Sequence, residues 1–424
     1  MHPPLARRGA AEPGRIVIGR VAREVGETAR HVMVATATRD EMLRRARDLV
    51  PALKKRAGEA EALRRLPDDT VRDLHKTGLW RVLQPARVGG GELDYGMLID
   101  VPGVLGQGCG STAWVFVNLA SHHWMLAMWP QPAQDEVWGE QPDALIASSL
   151  IYPAGRAAPV EGGYLVSGQW PFCSGIDPSD WVMLGTMVAR GPEAPEPRMV
   201  VVPKASLEVT DTWYVAGLAG TGSKDVACQD VFVPAHMTLS SPEVRGGPTP
   251  GSGINPSPLY TLPVAALFPH VIAAPIVGMA MGAYADFVAT VRSRISTYNE
   301  SKISGHITTQ LHVGEAGVLI DCARLLLRSN CEEATRIAEA GMVPKIEDKM
   351  RWRRDAAYAA TMSAQAADQL YRTSGGSANF STSPLQRQFR DIHAGLGHIG
   401  VSWDVNGAGF GRVALGLPSD NPNV

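Results

Sequence analysis

The period of the apolar residues changes twice along the chain, and that double switch limits the fold more than any other feature. Between about Thr38 and Pro142 apolar side chains recur at helical spacing, with Leu43, Ala46, Leu49, Val50 and Leu53 on one face. Leu66-Pro67-Asp68-Asp69-Thr70 reads as a turn and a new helix start. Leu74, Leu79 and Val82 continue the apolar face until Gly89-Gly90-Gly91 breaks it. Ser111–Met128 is apolar on most sides, the pattern of a buried helix. From Ala144 to Ala235 the pattern becomes one of short strands: Ala144–Ile151, Tyr164–Ser167, Trp181–Val188, Met199–Val202, Leu207–Val215 and Val226–Val233. Gly and Pro separate them, which predicts a compact antiparallel β domain. Helical spacing returns from Leu262, with long segments at Pro269–Tyr298, Thr309–Ala340 and Lys345–Tyr371. Small residues there (Ala274, Gly278, Gly282) suit close helix packing.

The fold class expected is therefore α+β. An N-terminal helical domain covers 38–143 and the central β domain 144–240. A Gly/Pro/Ser-rich stretch covers 241–261, within which Gly246–Pro258 reads as a linker or mobile loop. A C-terminal four-helix bundle covers 262–424. Residues 1–37 are Arg-rich and poor in acids. They read as a disordered extension, or as the product of a start upstream of Met33.

Charge and cysteine content exclude several classes. Forty basic residues against 42 acidic ones leave a net charge of −2. That balance does not suit a binder that works by neutralising nucleic-acid phosphates. Cys109, Cys173, Cys228, Cys322 and Cys331 have no metal-site or disulfide-framework spacing, so no metal is expected and a reducing cytoplasm is the simplest location. No unbroken apolar run reaches the roughly 18 residues of a membrane span.

Four stretches could carry chemistry. Gly168-Gln169-Trp170-Pro171-Phe172-Cys173-Ser174-Gly175 ends a predicted strand. Ser121-His122-His123-Trp124 lies on the apolar helix, where two adjacent histidines point about 100° apart and at most one can face a given pocket. Gly217-Leu218-Ala219-Gly220-Thr221-Gly222-Ser223 is either a plain turn or a backbone shaped for close approach to a ligand. Ser374-Gly375-Gly376-Ser377 precedes a helix that opens at Pro384 and runs through Arg387, Arg390 and Asp391 to His393 and His398. No Gly-x-Gly-x-x-Gly sits between a strand and a helix, so the chain is not expected to hold NAD(P)H itself.

The small-residue turn followed by Pro-Leu-x-Arg-x-x-Arg-Asp resembles the last core helices of the acyl-CoA dehydrogenase superfamily, and the order of the three regions resembles that architecture over about residues 38–416. In the dehydrogenases a catalytic glutamate follows a few residues after that Arg-Asp. Here Ile392 to Asp404 contains no glutamate but has His393 and His398. Loss of the base beside a histidine resembles the branch of two-component flavin-dependent monooxygenases. That resemblance implies an oxygenase component taking reduced FMN or FADH2 from a separate NAD(P)H-dependent flavin reductase. With O2 it would form a C4a-hydroperoxyflavin in a dry pocket and hydroxylate a phenolic or other aromatic substrate. It implies His122, Ser174 and His398 as catalytic residues: His122 the base toward a phenol, Ser174 at flavin N5, His398 steadying the peroxide or the substrate oxygen. It implies Ser149, Trp170, Phe172, Cys173, Ser174, Thr221, Ser223, Gly375 and Gly376 as flavin-binding, and a homotetramer. The dehydrogenase arginine that grips the FAD pyrophosphate is replaced by Glu300-Ser301, although Gln310 is present; FMN is then as plausible as FAD. Alternatives are a dehydrogenase with its base elsewhere, a monooxygenase acting on sulfur or nitrogen, and a non-catalytic flavin-binding protein.

Overall fold

The computed structural model describes residues 37–424, apart from Pro192, Tyr298 and Asn299. The expected extension over 1–37, the alternative start at Met33 and the helix end at Tyr298 fall outside the described residues, save Ala37.

The N-terminal region holds α1 (Arg39–Leu63), α2 (Asp68–Thr77), α3 (Met97–Leu105), α4 (Gly110–Leu126) and α5 (Gln131–Trp138). Thr38 caps α1 by accepting from the Glu41 backbone N–H, one of the donors a helix start leaves open. Every residue of α4 is buried, as its unbroken apolar pattern requires. It packs on α3, on α6 (Val264–Ser293) and on the first strand, and so forms the floor between the helical and β regions.

The central region is one eight-stranded sheet: β1 (Ile146–Ser149), β2 (Gly155–Val160), β3 (Gly163–Cys173), β4 (Trp181–Arg190), β5 (Glu193–Pro203), β6 (Glu208–Thr210), β7 (Lys224–Pro234) and β8 (Thr238–Ser240). The strand order is β6-β7-β3-β2-β4-β5-β8, with β1 also paired to β4. The sheet is not purely antiparallel as expected, because β1 and β2 both run parallel to β4. Two strands, β2 and β8, escaped the sequence reading, and a third was read too long. β2 has few β-branched residues and carries Pro159, which argues against a strand by composition. The run Leu207–Val215 is strand only over β6; beyond it the chain leaves the sheet and carries Trp213 toward the helices.

Gly246–Pro258 is not a free linker. Asn255 is buried and donates to the Ala127 carbonyl (2.8 Å) and to Gln134 (2.9 Å), and the Gly251 N–H donates to the Met128 carbonyl (2.9 Å). Its Gly, Pro and Ser residues build turns pinned to the end of α4. A side chain at Gly251 would meet the Ala127 carbonyl, so close backbone approach, not looseness, explains the glycine.

The C-terminal region is a bundle of α6, α7 (Ile307–Glu339), α8 (Ile346–Ser374) and α9 (Pro384–Leu396), with α10 (Trp403–Ala414) packed on α8. α6 is long and apolar enough to cross a bilayer, although Pro269, His270 and Pro275 interrupt its apolar run. Yet 83% of its most apolar stretch is buried in the protein, so it is a core helix. α7 differs: Ile307, Leu311, Val318 and Leu325 form an exposed apolar stripe down its outer side.

Candidate functional site

A cavity of about 410 Å³ lies where α4, the sheet and α9 meet. Trp114 and Asn118 of α4 contribute one wall. Ser148 and Ser149 come from β1, Phe172 and Ser174 from the end of β3. The 213–223 loop brings Trp213, Leu218, Thr221 and Ser223, and Phe268, Ala394, Gly397, His398 and Ile399 close the helical side. Among these described lining residues there is no Asp, Glu, Lys or Arg. A larger groove of about 730 Å³ between α7 and α8 contains none of the expected site residues.

A β-bulge near the end of β3 brings Ser174 to the cavity. Register shifts between Trp170 and Cys173, where Phe172 takes φ +64. A left-handed non-glycine residue costs about 1–2 kcal/mol. Here the conformation is held by the Ser174 N–H donating to the Phe172 carbonyl (2.9 Å) and by Ser149 Oγ donating to the Pro171 carbonyl (2.8 Å). The bulge turns Phe172 outward, 61% exposed and edge-on to Trp213 at the cavity mouth. Cys173 points the other way and is fully buried, and burial pushes its thiol far above the usual cysteine range. Trp170 also faces inward, its indole N–H donating to the Gly185 carbonyl (2.7 Å). Of this motif, then, Phe172 and Ser174 reach the cavity, while Trp170 and Cys173 support the strand beneath it.

Ser174 belongs to a chain of hydroxyls. The Trp114 indole N–H donates to Ser174 Oγ (3.2 Å), Ser174 Oγ lies 2.7 Å from Ser223 Oγ, and Ser223 Oγ lies 2.7 Å from Thr221 Oγ1. Thr221 Oγ1 donates to the Leu218 carbonyl (2.8 Å). The 217–223 segment is therefore more than a turn. Its Leu218 sits at φ +54, fixed by its N–H donating to the buried Asp391 carboxylate (2.6 Å). Burial raises Asp391 to about 6.

His398 follows α9 and stands between the rings of Trp114 (centroids 6.0 Å apart) and Phe268 (5.9 Å). Its Nδ1 accepts the Gly400 N–H (2.9 Å), so a neutral ring must carry its proton on Nε2. Burial lowers its pKa to about 4. His393 points elsewhere and pairs with Asp368 (3.1 Å).

His122 does not line the cavity. It continues the face of Trp114 and Asn118 by one more helical turn and is completely buried. Its Nδ1 lies 2.6 Å from the Ile146 carbonyl, so Nδ1 holds the proton and Nε2 is a bare acceptor with no hydrogen-bond partner. Burial lowers its pKa to about 4. His123 accepts the Trp138 indole N–H (3.2 Å), away from the site. Gly375 and Gly376 lie at the end of α8, outside the cavity lining.

Residues 270–403 match the family model described as acyl-CoA dehydrogenase, C-terminal domain. The chain is 36% identical over 378 residues to the flavin-dependent monooxygenase oxygenase subunit HsaA of Mycobacterium tuberculosis, covering 89% of this chain and 96% of that protein. It belongs to this family of flavin-dependent monooxygenase oxygenase subunits. It is also 33% identical to the oxygenase component of an FADH2-dependent resorcinol hydroxylase from a Rhizobium strain, covering 85% of this chain and 90% of that protein. The crystal structure of 3-HSA hydroxylase from Rhodococcus sp. RHA1 superposes with a TM-score of 0.86 at 35% identity, over 91% of this chain and 99% of that one.

Several walls of this oxygenase's cavity escaped the sequence reading. Trp114, Phe268 and Trp213 are aromatic residues inside apolar or strand-like runs, where nothing local marks a cavity wall. A usable signal existed for Trp114 and for Asn118 beside it: they stand eight and four residues before His122, on one helical face.

Proposed function

We propose that this oxygenase hydroxylates a small phenolic or other aromatic substrate, with reduced flavin delivered by a separate NAD(P)H-dependent reductase. The observation that carries the reading is the cavity wall: a neutral histidine and a hydroxyl chain among aromatic rings, with no carboxylate to act as a dehydrogenase base. The residues fit a flavin. Ser174 keeps an unused lone pair at a cavity of the size ligand sites use, and the apolar walls suit a flat ring. Bound reduced flavin supplies the two electrons that split O2, one oxygen atom going to the substrate and the other to water.

The protein's part is orientation, water exclusion and placement of protons. Ser174 would meet the flavin N5 position. His398 Nε2–H would donate to developing negative charge on oxygen. Trp114, Phe268 and Phe172 would keep water out, which favours product over hydrogen peroxide. His122 would accept the phenolic proton at its bare Nε2, which requires the cavity floor beyond Asn118 to open.

The apolar stripe of Ile307, Leu311, Val318 and Leu325 supports a homotetramer built through α7; a monomer by light scattering at micromolar concentration would oppose it. Five unpaired cysteines fit a reducing cytoplasm. The function is tested by anaerobic mixing of protein, reduced FMN or FAD and a panel of phenols, then O2. Hydroxylated phenol is the expected product. Stoichiometric oxidised FAD in purified protein, with acyl-CoA-dependent dye reduction, would overturn the reading.

A further inference from the structure

The chain of hydroxyls around Ser174 has a direction, and the direction is set at its far end. A carbonyl oxygen can only accept, so Thr221 Oγ1 gives its single proton to Leu218 O. Thr221 must then accept from Ser223, which spends Ser223's proton. Ser223 in turn must accept from Ser174, which spends Ser174's proton. The Trp114 indole N–H occupies one lone pair of Ser174 Oγ. What remains of Ser174 is one lone pair and no proton, at an atom that lines the cavity.

The carbonyl at the end of the chain is itself held. Leu218 is fixed in its left-handed conformation by Asp391, and its carbonyl also accepts the Trp213 indole N–H (3.0 Å). Thr221 and Ser223 are only 1% and 3% exposed, so each hydroxyl is committed mainly to its partners in the chain.

We propose that Thr221 is a positioning residue that fixes Ser174 as an acceptor, and that the cavity thereby selects a flavin carrying a proton on N5. Reduced flavin has an N5–H to donate. Oxidised flavin has a bare N5 lone pair, which would face the lone pair of Ser174. The inference rests on the flavin reading above and adds the origin of its redox preference. An oxygenase that receives reduced flavin and must release the oxidised form gains turnover from this polarity.

The test is anaerobic equilibrium dialysis of FMN and FAD, each in oxidised and dithionite-reduced form, against the full chain. Wild type should bind the reduced forms more tightly. In Thr221→Val, Ser223 loses its acceptor and turns its proton toward Ser174, whose own proton is then free to point into the cavity. The ratio of oxidised to reduced Kd should fall by about tenfold, the two constants moving in opposite directions. Ser223→Ala should do the same by releasing the Ser174 proton directly, and Thr221→Ser should restore the wild-type ratio. General damage to the pocket would weaken both forms together and would overturn the proposal. A wild type that prefers reduced flavin, with an unchanged ratio in both variants, also overturns it while leaving the proposed function intact. If wild type binds neither form, both fall.

Discussion

His398 stands partly exposed in the cavity wall and His122 is fully buried outside it, yet burial lowers the pKa of each to about 4 and holds both rings neutral. They nevertheless offer opposite groups. His398 accepts a backbone N–H at Nδ1 and presents an Nε2 proton. His122 gives its Nδ1 proton to a backbone carbonyl and keeps a bare Nε2. Burial decides the charge of each ring, and one backbone bond decides its polarity. The lesson is that two neutral histidines can be a fixed donor and a fixed acceptor without either being charged.

The largest effect expected from breaking this comparison is at His398. His398→Ala removes the donor that faces the cavity and should lower product formation by about 10²–10³-fold. Oxygen consumption should persist with hydrogen peroxide as the main product, measured by the ratio of hydroxylated phenol to peroxide. Wild-type coupling in this variant would remove His398 from the chemistry.

His122→Asn should be next, slowing turnover of an un-ionised phenol by about 10²-fold. A phenol already ionised at the assay pH needs no base, so it should lose far less. Equal losses for both phenols would rule out a base and leave His122 as a buried brace between α4 and β1.

The two histidines also show where sequence reasoning reached and where it stopped. Their positions follow from the motif, and the helix–sheet–helix order follows from apolar period alone. The structure brings Ser149, Phe172, Ser174, Thr221, Ser223 and His398 to one cavity and leaves His122, Trp170, Cys173, Gly375 and Gly376 outside its lining. The placement of Ser174 over Cys173 depends on a bulge at Phe172, and a bulge shifts alternation by one residue without altering composition. Tautomers were illegible for a different reason: they depend on the carbonyl of Ile146 and the N–H of Gly400, groups every residue carries. The same holds for the parallel pairing of β1 and β2 with β4, which is a matter of topology and leaves no trace in the local pattern.

A smaller effect separates Ser174 from its neighbour. If Ser174 meets the flavin as proposed, Ser174→Ala should raise the share of oxygen lost as peroxide by about tenfold, given a net bond of about 1–1.5 kcal/mol. Cys173→Ala, on the reverse side of the strand, should change that share by less than about twofold. A larger effect from Cys173→Ala than from Ser174→Ala would mean the end of β3 presents the other residue in solution.

The smallest effect expected is an absence of response. A histidine titrating in its ordinary range would give the hydroxylation step a limb between about pH 6 and 7. Both rings are instead lowered to about 4, so only about 1% of either is protonated at pH 6. The hydroxylation rate, followed in single turnovers with a neutral substrate, should therefore be flat from pH 8 to pH 6 and halve only near pH 4. Stability moves in the same direction. A histidine whose folded pKa is depressed refuses a proton that the unfolded chain accepts, so its contribution is complete above 6.5 and is lost as pH falls toward 4. The shift from 6.5 to about 4 corresponds to about 3 kcal/mol for each ring. Loss of activity below pH 5 must accordingly be compared with circular dichroism at the same pH and with recovery on return to pH 7. A reversible limb centred between pH 6 and 7 in folded protein, absent from His122→Asn or from His398→Ala, would show that the ring concerned meets water during turnover. The symmetry of the two histidines would then hold only in the resting protein.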